Sequence, residues 1–249
     1  MDFLFVFVLG TIIGSFLNVV IYRVPLKQSI VFPSSHCTSC NERLKFFDLI
    51  PIISWILLRG NCRYCKTKVS YRYPLVELLT GAVFLLTYIS VGVDKKLIVY
   101  FVFTSILIAD TFIDVDHLIL PDKLHIFALF TYILFNILTP FIDWKDSLLG
   151  ALMGMIPLFI LFLLTRGNGM GFGDVKFMAV IGLYLGWRQT LLALLLSFIL
   201  GGFFGIILLI SKIKNRNDPI PFGPWIAIAA FISMNWGKEI IDWYWHLLG

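Results

Sequence analysis

An all-α polytopic membrane protein is the fold class this chain predicts, and three observations carry it. Of 249 residues, 59% are hydrophobic and 14% are charged, whereas soluble domains are nearer half apolar and a quarter charged. The mean hydropathy is +0.90. Eight apolar segments recur, at about 3–22, 75–92, 97–113, 124–142, 148–165, 175–187, 190–210 and 223–247, and several approach the roughly 20 residues that cross a bilayer as a helix. About eight transmembrane helices are expected. The chain divides by polarity into a first helix (1–22), a cytoplasmic loop domain (23–74) and a transmembrane core (75–249). In such a chain the net charge of +5 concerns topology and lipid headgroups; it does not indicate nucleic acid.

The first segment resembles a signal peptide in length only. No basic region precedes it, and Arg23-Val24-Pro25 follows it in place of a small-residue cleavage site, so it reads as a retained span. Gly10 and Gly14 stand one helical turn apart, where a second helix can approach closely. Segment six is short, bounded by Gly173-Asp174 and by Trp187-Arg188. If it joined segment seven as one broken element, six or seven spans would remain possible. No internal repeat or low-complexity tract stands out.

Charge sets the expected orientation. With the N-terminus outside, the inner loops hold Arg23, Lys27, Arg43, Lys45, Arg59, Arg63, Lys66, Lys68, Arg72, Lys123, Arg166, Lys176, Lys212, Lys214 and Arg216. The outer side holds only Lys95, Lys96, Lys145, Arg188 and Lys238. Fifteen against five is a strong positive-inside bias.

Inside the long loop lie Cys37, Cys40, Cys62 and Cys65, two C-x-x-C pairs separated by 21 residues. Each pair can form a tight knuckle, and two knuckles can close on one tetrahedral zinc ion. A loop in the reducing cytosol disfavours disulfides. Four thiolates leave no position for water, so the metal is expected to be structural, stabilising a loop with little core of its own. His36 is an unneeded substitute ligand.

The remaining chemistry rests on aspartates at the ends of apolar segments. Asp114 ends segment three in the run Ile113-Asp114-Val115-Asp116-His117-Leu118-Ile119-Leu120-Pro121-Asp122. Asp174 opens segment six after a run of glycines, Gly169-Met170-Gly171-Phe172-Gly173, which permits close approach of another chain. The charge count puts both at the cytoplasmic boundary. An ionisable group at membrane depth is a functional candidate, and two carboxylates that share a proton can hydrolyse a peptide bond. The helix N-terminus favours Asp174 as the ionised partner, with Lys176 expected to help, and leaves the proton more often on Asp114. Alone, Asp174 could be an ordinary helix cap. Asp116 and Asp122 read as turn residues, and His117 and His125 as boundary residues. Asp110 lies one turn deeper than Asp114 and could compete with it. Glu77 reads as a solvated helix start.

Taken in order, these runs resemble the bacterial type IV prepilin peptidases, the bifunctional leader peptidase and N-methyltransferase family. The resemblance is carried by Gly14-Ser15-Phe16-Leu17-Asn18-Val19-Val20-Ile21-Tyr22-Arg23, the two C-x-x-C pairs, Tyr71-Arg72-Tyr73-Pro74-Leu75-Val76-Glu77-Leu78, the runs at 113–122 and 171–176, and Pro221-Phe222-Gly223-Pro224. It implies a membrane-embedded aspartic endopeptidase with catalytic Asp114 and Asp174. Such an enzyme removes the basic leader from type IV prepilins or pseudopilins at the cytoplasmic face of the plasma membrane. It also implies methylation of the new N-terminal residue from S-adenosylmethionine, an activity that goes with the cysteine loop. The residues that bind this methyl donor are not assigned, because no glycine fingerprint for a nucleotide is present. At position 110 the resemblance leads one to expect an apolar or small residue, not Asp. Two rival classes are a proton-coupled transporter, which also uses intramembrane acids, and a membrane scaffold that binds a soluble partner through its zinc knuckle.

Overall fold

Each apolar segment becomes a helix, as backbone polar groups in hydrocarbon require. The computed structural model describes residues 2–167, 169–212, 215 and 218–248; the readings placed on Lys214 and Arg216 lie outside the described residues. The helices are α1 (Phe3–Arg23), a short α2 (Ile53–Leu57), α3 (Arg72–Val91), α4 (Lys96–His117), α5 (Asp122–Leu138), α6 (Trp144–Leu164), α7 (Phe172–Leu185), α8 (Trp187–Ile210) and α9 (Gly223–Leu248). Among the described residues the protein is all-helical, with only isolated β-bridges in the loop.

Five of these helices, α1, α3, α4, α6 and α8, have the length and apolar composition of a membrane span, and the protein is a multi-pass membrane protein. The expected eight spans are eight helices of which five meet that description. At about 1.5 Å per residue the 14 residues of α7 reach roughly 21 Å, short of a hydrocarbon core of about 30 Å. The 26-residue α9 is long enough but carries Lys238, Glu239 and Asp242. Segments six and seven are separate helices, broken at Gly186 (φ +74°). There Asp146 of α6 accepts the N–H of Trp187 at the start of α8 (3.3 Å).

The chain divides into two compact units, residues 1–109 and 110–249. In the first, Gly10 and Gly14 let α1 lie directly on α3. A Cβ on Gly10 would come 2.7 Å from Cα of Gly81, and one on Gly14 would come 2.7 Å from Cα of Glu77. Val6, Phe84, Leu97 and Phe101 form its apolar cluster, with Phe84 and Phe101 stacked at 4.2 Å. In the second unit Gly150 of α6 and Gly182 of α7 meet without room for a side chain on either. The Tyr184 hydroxyl of α7 donates to the Ala128 carbonyl of α5 (2.8 Å).

Candidate functional sites

The loop between α1 and α3 holds the two cysteine pairs in one repeated turn. Around the first, His36 bridges Arg43; around the second, Asn61 bridges Lys68. Cys37 N–H donates to Glu42 O (2.9 Å) and Asn41 N–H to Cys37 O (2.8 Å); Cys62 N–H donates to Thr67 O (2.8 Å) and Lys66 N–H to Cys62 O (3.0 Å). Asn41 and Lys66 both take left-handed φ, 56° and 61°. The two knuckles expected from the C-x-x-C spacing are therefore two copies of one turn. The four Sγ atoms all lie within 4.8 Å of one another, with Cys37 and Cys65 3.8 Å apart. Tetrahedral thiolates about 2.3 Å from a metal would be about 3.8 Å apart, so the cluster fits a structural metal. Hydrogen bonding with the Thr67 side chain and backbone holds the Cys65 thiol down at about 6.

Asp48 ties the second knuckle to the preceding turn. It accepts from Arg63 Nε (2.5 Å), the Tyr64 hydroxyl (3.0 Å) and the Lys45 N–H (3.1 Å). Burial pushes its carboxyl upward, but the Arg63, Lys45 and Tyr64 bonds outweigh this and hold it below the usual carboxylate value. Glu77 is not the solvated helix start that was expected. It is buried and accepts the Ile52 N–H at 2.7 Å, because α1 covers it through Gly14.

Asp114 and Asp174 both lie in the second unit, within range of one another's charge. Asp114 lies in the last turn of α4 and Asp174 is the third residue of α7. Their relative exposures are 6% and 8%, against 0% for Asp110. The deeper acid is thus fully enclosed, while the other two keep a little exposed surface. Asp174 Oδ2 accepts the Gly171 N–H (3.1 Å), so the carboxylate closes the first turn of α7 as a capping group. Asp114 Oδ2 accepts the Gly223 N–H (2.9 Å) at the start of α9. Each acid therefore faces a helix N-terminus, one its own and one another's. The helix-end field, which was expected to single out Asp174, does not distinguish them.

Gly223 is a close neighbour of Asp114 that the residue chemistry did not reveal; it entered only as part of a resembling motif. A Cβ there would come 2.8 Å from Asp114 Oδ2. Lys176 pairs with Asp122 and does not support Asp174. It also lies over the Phe172 ring (5.3 Å). His125 is a buried residue, not a boundary one. Its Nε2 stands 3.8 Å from Asp110 Oδ2, too far for a hydrogen bond, and neither side chain has a hydrogen-bond partner among the described residues. Asp116 and His117 are exposed.

Two family profiles match. Residues 8–91 match the bacterial peptidase A24 N-terminal domain and residues 101–206 the type IV leader peptidase family. A prepilin leader peptidase/N-methyltransferase of Aeromonas hydrophila is 37% identical over 270 residues, covering 97% of this chain and 93% of that protein. One of Pseudomonas aeruginosa is 34% identical over 97% of this chain and 92% of its own length. One of Bacillus subtilis is 33% identical over 96% of each. No solved structure matches the chain significantly. Nothing in these matches supports a transporter.

Proposed function

This chain belongs to the type IV leader peptidase family, and from that premise we propose that it cleaves the leader from type IV prepilins or pseudopilins and N-methylates the product. One observation carries the assignment of the acids. Two carboxylates from separate helices of one compact unit are each held by a backbone N–H at a helix N-terminus, and each keeps a little exposed surface.

Asp114 and Asp174 share one proton, because two nearby carboxylates cannot both ionise cheaply. The ionised member takes a proton from water, and the oxygen of that water attacks the scissile carbonyl carbon. The protonated member hydrogen-bonds the carbonyl oxygen and supplies its proton as the tetrahedral species forms. As the C–N bond breaks, a proton passes to the leaving amine, giving a carboxyl and a new N-terminus. The N–H groups of Gly171 and Gly223 keep the two acids oriented through these steps.

The positive-inside bias supports an orientation with both acids and the cysteine loop at the cytoplasmic boundary of the plasma membrane. A prepilin whose apolar helix is inserted there presents its basic leader at the same level. The basic loops also face acidic lipid headgroups. Cys37, Cys40, Cys62 and Cys65 hold a structural zinc ion, which stabilises the loop. S-adenosylmethionine, when bound, supplies a methyl group to the newly freed amine.

The test is cleavage of a synthetic prepilin by the purified protein with a labelled methyl donor, read by mass spectrometry. Asp114→Asn and Asp174→Asn should each lower cleavage by about 10²–10⁴-fold while the chain still folds. Full cleavage by either variant removes that residue from the mechanism.

A further inference from the structure

The first unit contains a cavity of about 530 Å³ where the C-terminal turns of α1, the first turns of α3 and the cysteine loop meet. That volume lies within the roughly 300–1,000 Å³ typical of small-molecule sites. Ser15, Arg23, Trp55, Cys62, Tyr73 and Glu77 are among its lining residues. We propose that this cavity binds the methyl donor, with the Glu77 carboxylate facing the sulfonium charge, Arg23 facing the amino-acid carboxylate, and Trp55 and Tyr73 offering rings to the adenine. The proposal rests on the methyltransferase part of the reading above.

Glu77 is the first reason. It is buried, and its donors among the described residues are neutral, the Ile52 N–H at 2.7 Å and the Ser15 hydroxyl. A buried carboxylate without a cation is costly, and a ligand with a permanent positive charge supplies the missing counter-charge. The backbone beside it is the second reason. Ile52 adopts φ +61°, ψ −52°, and Ile53 N–H closes on Pro51 O at 2.5 Å. A β-branched residue in this γ-turn is an outlier. Strain of this kind persists where surrounding groups over-determine it, and such sites cluster at ligand clamps. Here the strain turns the Ile52 N–H onto Glu77.

The Trp55 ring and the guanidinium are held in place before any ligand arrives. Trp55 Nε1 donates to Val69 O at 3.1 Å. Arg23 Nη1 donates to Ser29 O and Pro33 O at 3.0 and 2.8 Å. Cys62 lines the cavity and belongs to the thiolate cluster, so the metal knuckle forms part of its wall. That continuity ties the cysteine loop to methyl transfer through the shape of the site.

The full-length protein in lipid nanodiscs is irradiated with 8-azido-S-adenosylmethionine, and adducts are mapped by mass spectrometry. Labelling should fall within residues 15–77, on peptides that contain Trp55 or Tyr73, and excess S-adenosylmethionine should suppress it. Equilibrium binding then reads the charge contact. Glu77→Gln should weaken S-adenosylmethionine at least tenfold and neutral S-adenosylhomocysteine less than threefold, whereas a merely structural role would weaken both alike. Competed labelling confined to residues 96–249, or equal losses for the two ligands, overturns the site. If wild-type protein takes no label and methylates no cleaved pilin peptide, the methyltransferase reading falls with it. Methylation with labelling elsewhere removes the site alone.

Discussion

A carboxylate oxygen and a backbone N–H decide how Asp114 works, and Gly223 is where they meet. Gly223→Ala would place a methyl carbon 2.8 Å from Asp114 Oδ2, closer than real contacts allow, so the acid or the start of α9 must move. A shift near 1 Å in a reacting group costs on the order of 10²-fold. We expect a comparable loss of cleavage with the protein still folded; cleavage at the wild-type rate would show that the contact is not needed. Asp110 and His125 pose the opposite case, a buried polar pair without hydrogen bonds among the described residues. A buried polar group without a hydrogen bond is costly, so replacing both with apolar residues of similar size is expected to be neutral or stabilising. Asp110→Leu/His125→Leu should therefore match or exceed the wild-type thermal midpoint and keep cleavage. A folded double variant that cannot cleave would place Asp110 in the chemistry. The acids were legible in the sequence because charge is rare in this chain. Gly223 and the partner of Asp110 were not, because both contacts join residues distant in sequence.

At the scale of elements, glycines and polar hubs set what packs on what. Gly10 and Gly14 were readable as a close-packing face from their spacing alone, but that the face would cover Glu77 depended on which helix came to lie there. Asp48 is the corresponding hub of the loop. It has a carboxyl held below its ordinary value, so the stability it contributes is present above the unfolded carboxylate value of about 3.9 and is lost as pH falls through the lower folded value. Asp48→Asn should lower the loop's thermal midpoint by a few degrees at pH 7, and the difference from wild type should shrink below about pH 4. Circular dichroism melts at both pH values measure this; a constant difference would exclude the carboxylate charge as its source. Chain flow after Pro121 was readable too, since proline stops a helix, and α5 begins at Asp122. The pairing of Lys176 with Asp122 was not, since nearness in sequence had pointed to Asp174.

For the whole molecule, metal and membrane are separable sources of order. A Cys37→Ser, Cys62→Ser variant, or exhaustive chelation, should release the metal, disorder the loop and damage methylation, with some leader cleavage surviving because the two acids lie in the other unit. Metal analysis alongside separate cleavage and methylation assays checks this, and unchanged folding, metal content and methylation would refute a structural role for the cluster. Fold class, the order of the helices, the clustering of the four cysteines and the placement of two aspartates at helix ends were determined by the sequence by itself, because each rests on composition or on local spacing, and hydrocarbon leaves a backbone few alternatives to the helix. The tertiary structure alone decided which backbone N–H holds Asp114, which acid is fully enclosed, which carboxylate Lys176 takes and where a cavity opens beside Glu77. Those outcomes depend on contacts between residues up to 109 positions apart, and no local pattern encodes which distant atom will fill a given gap.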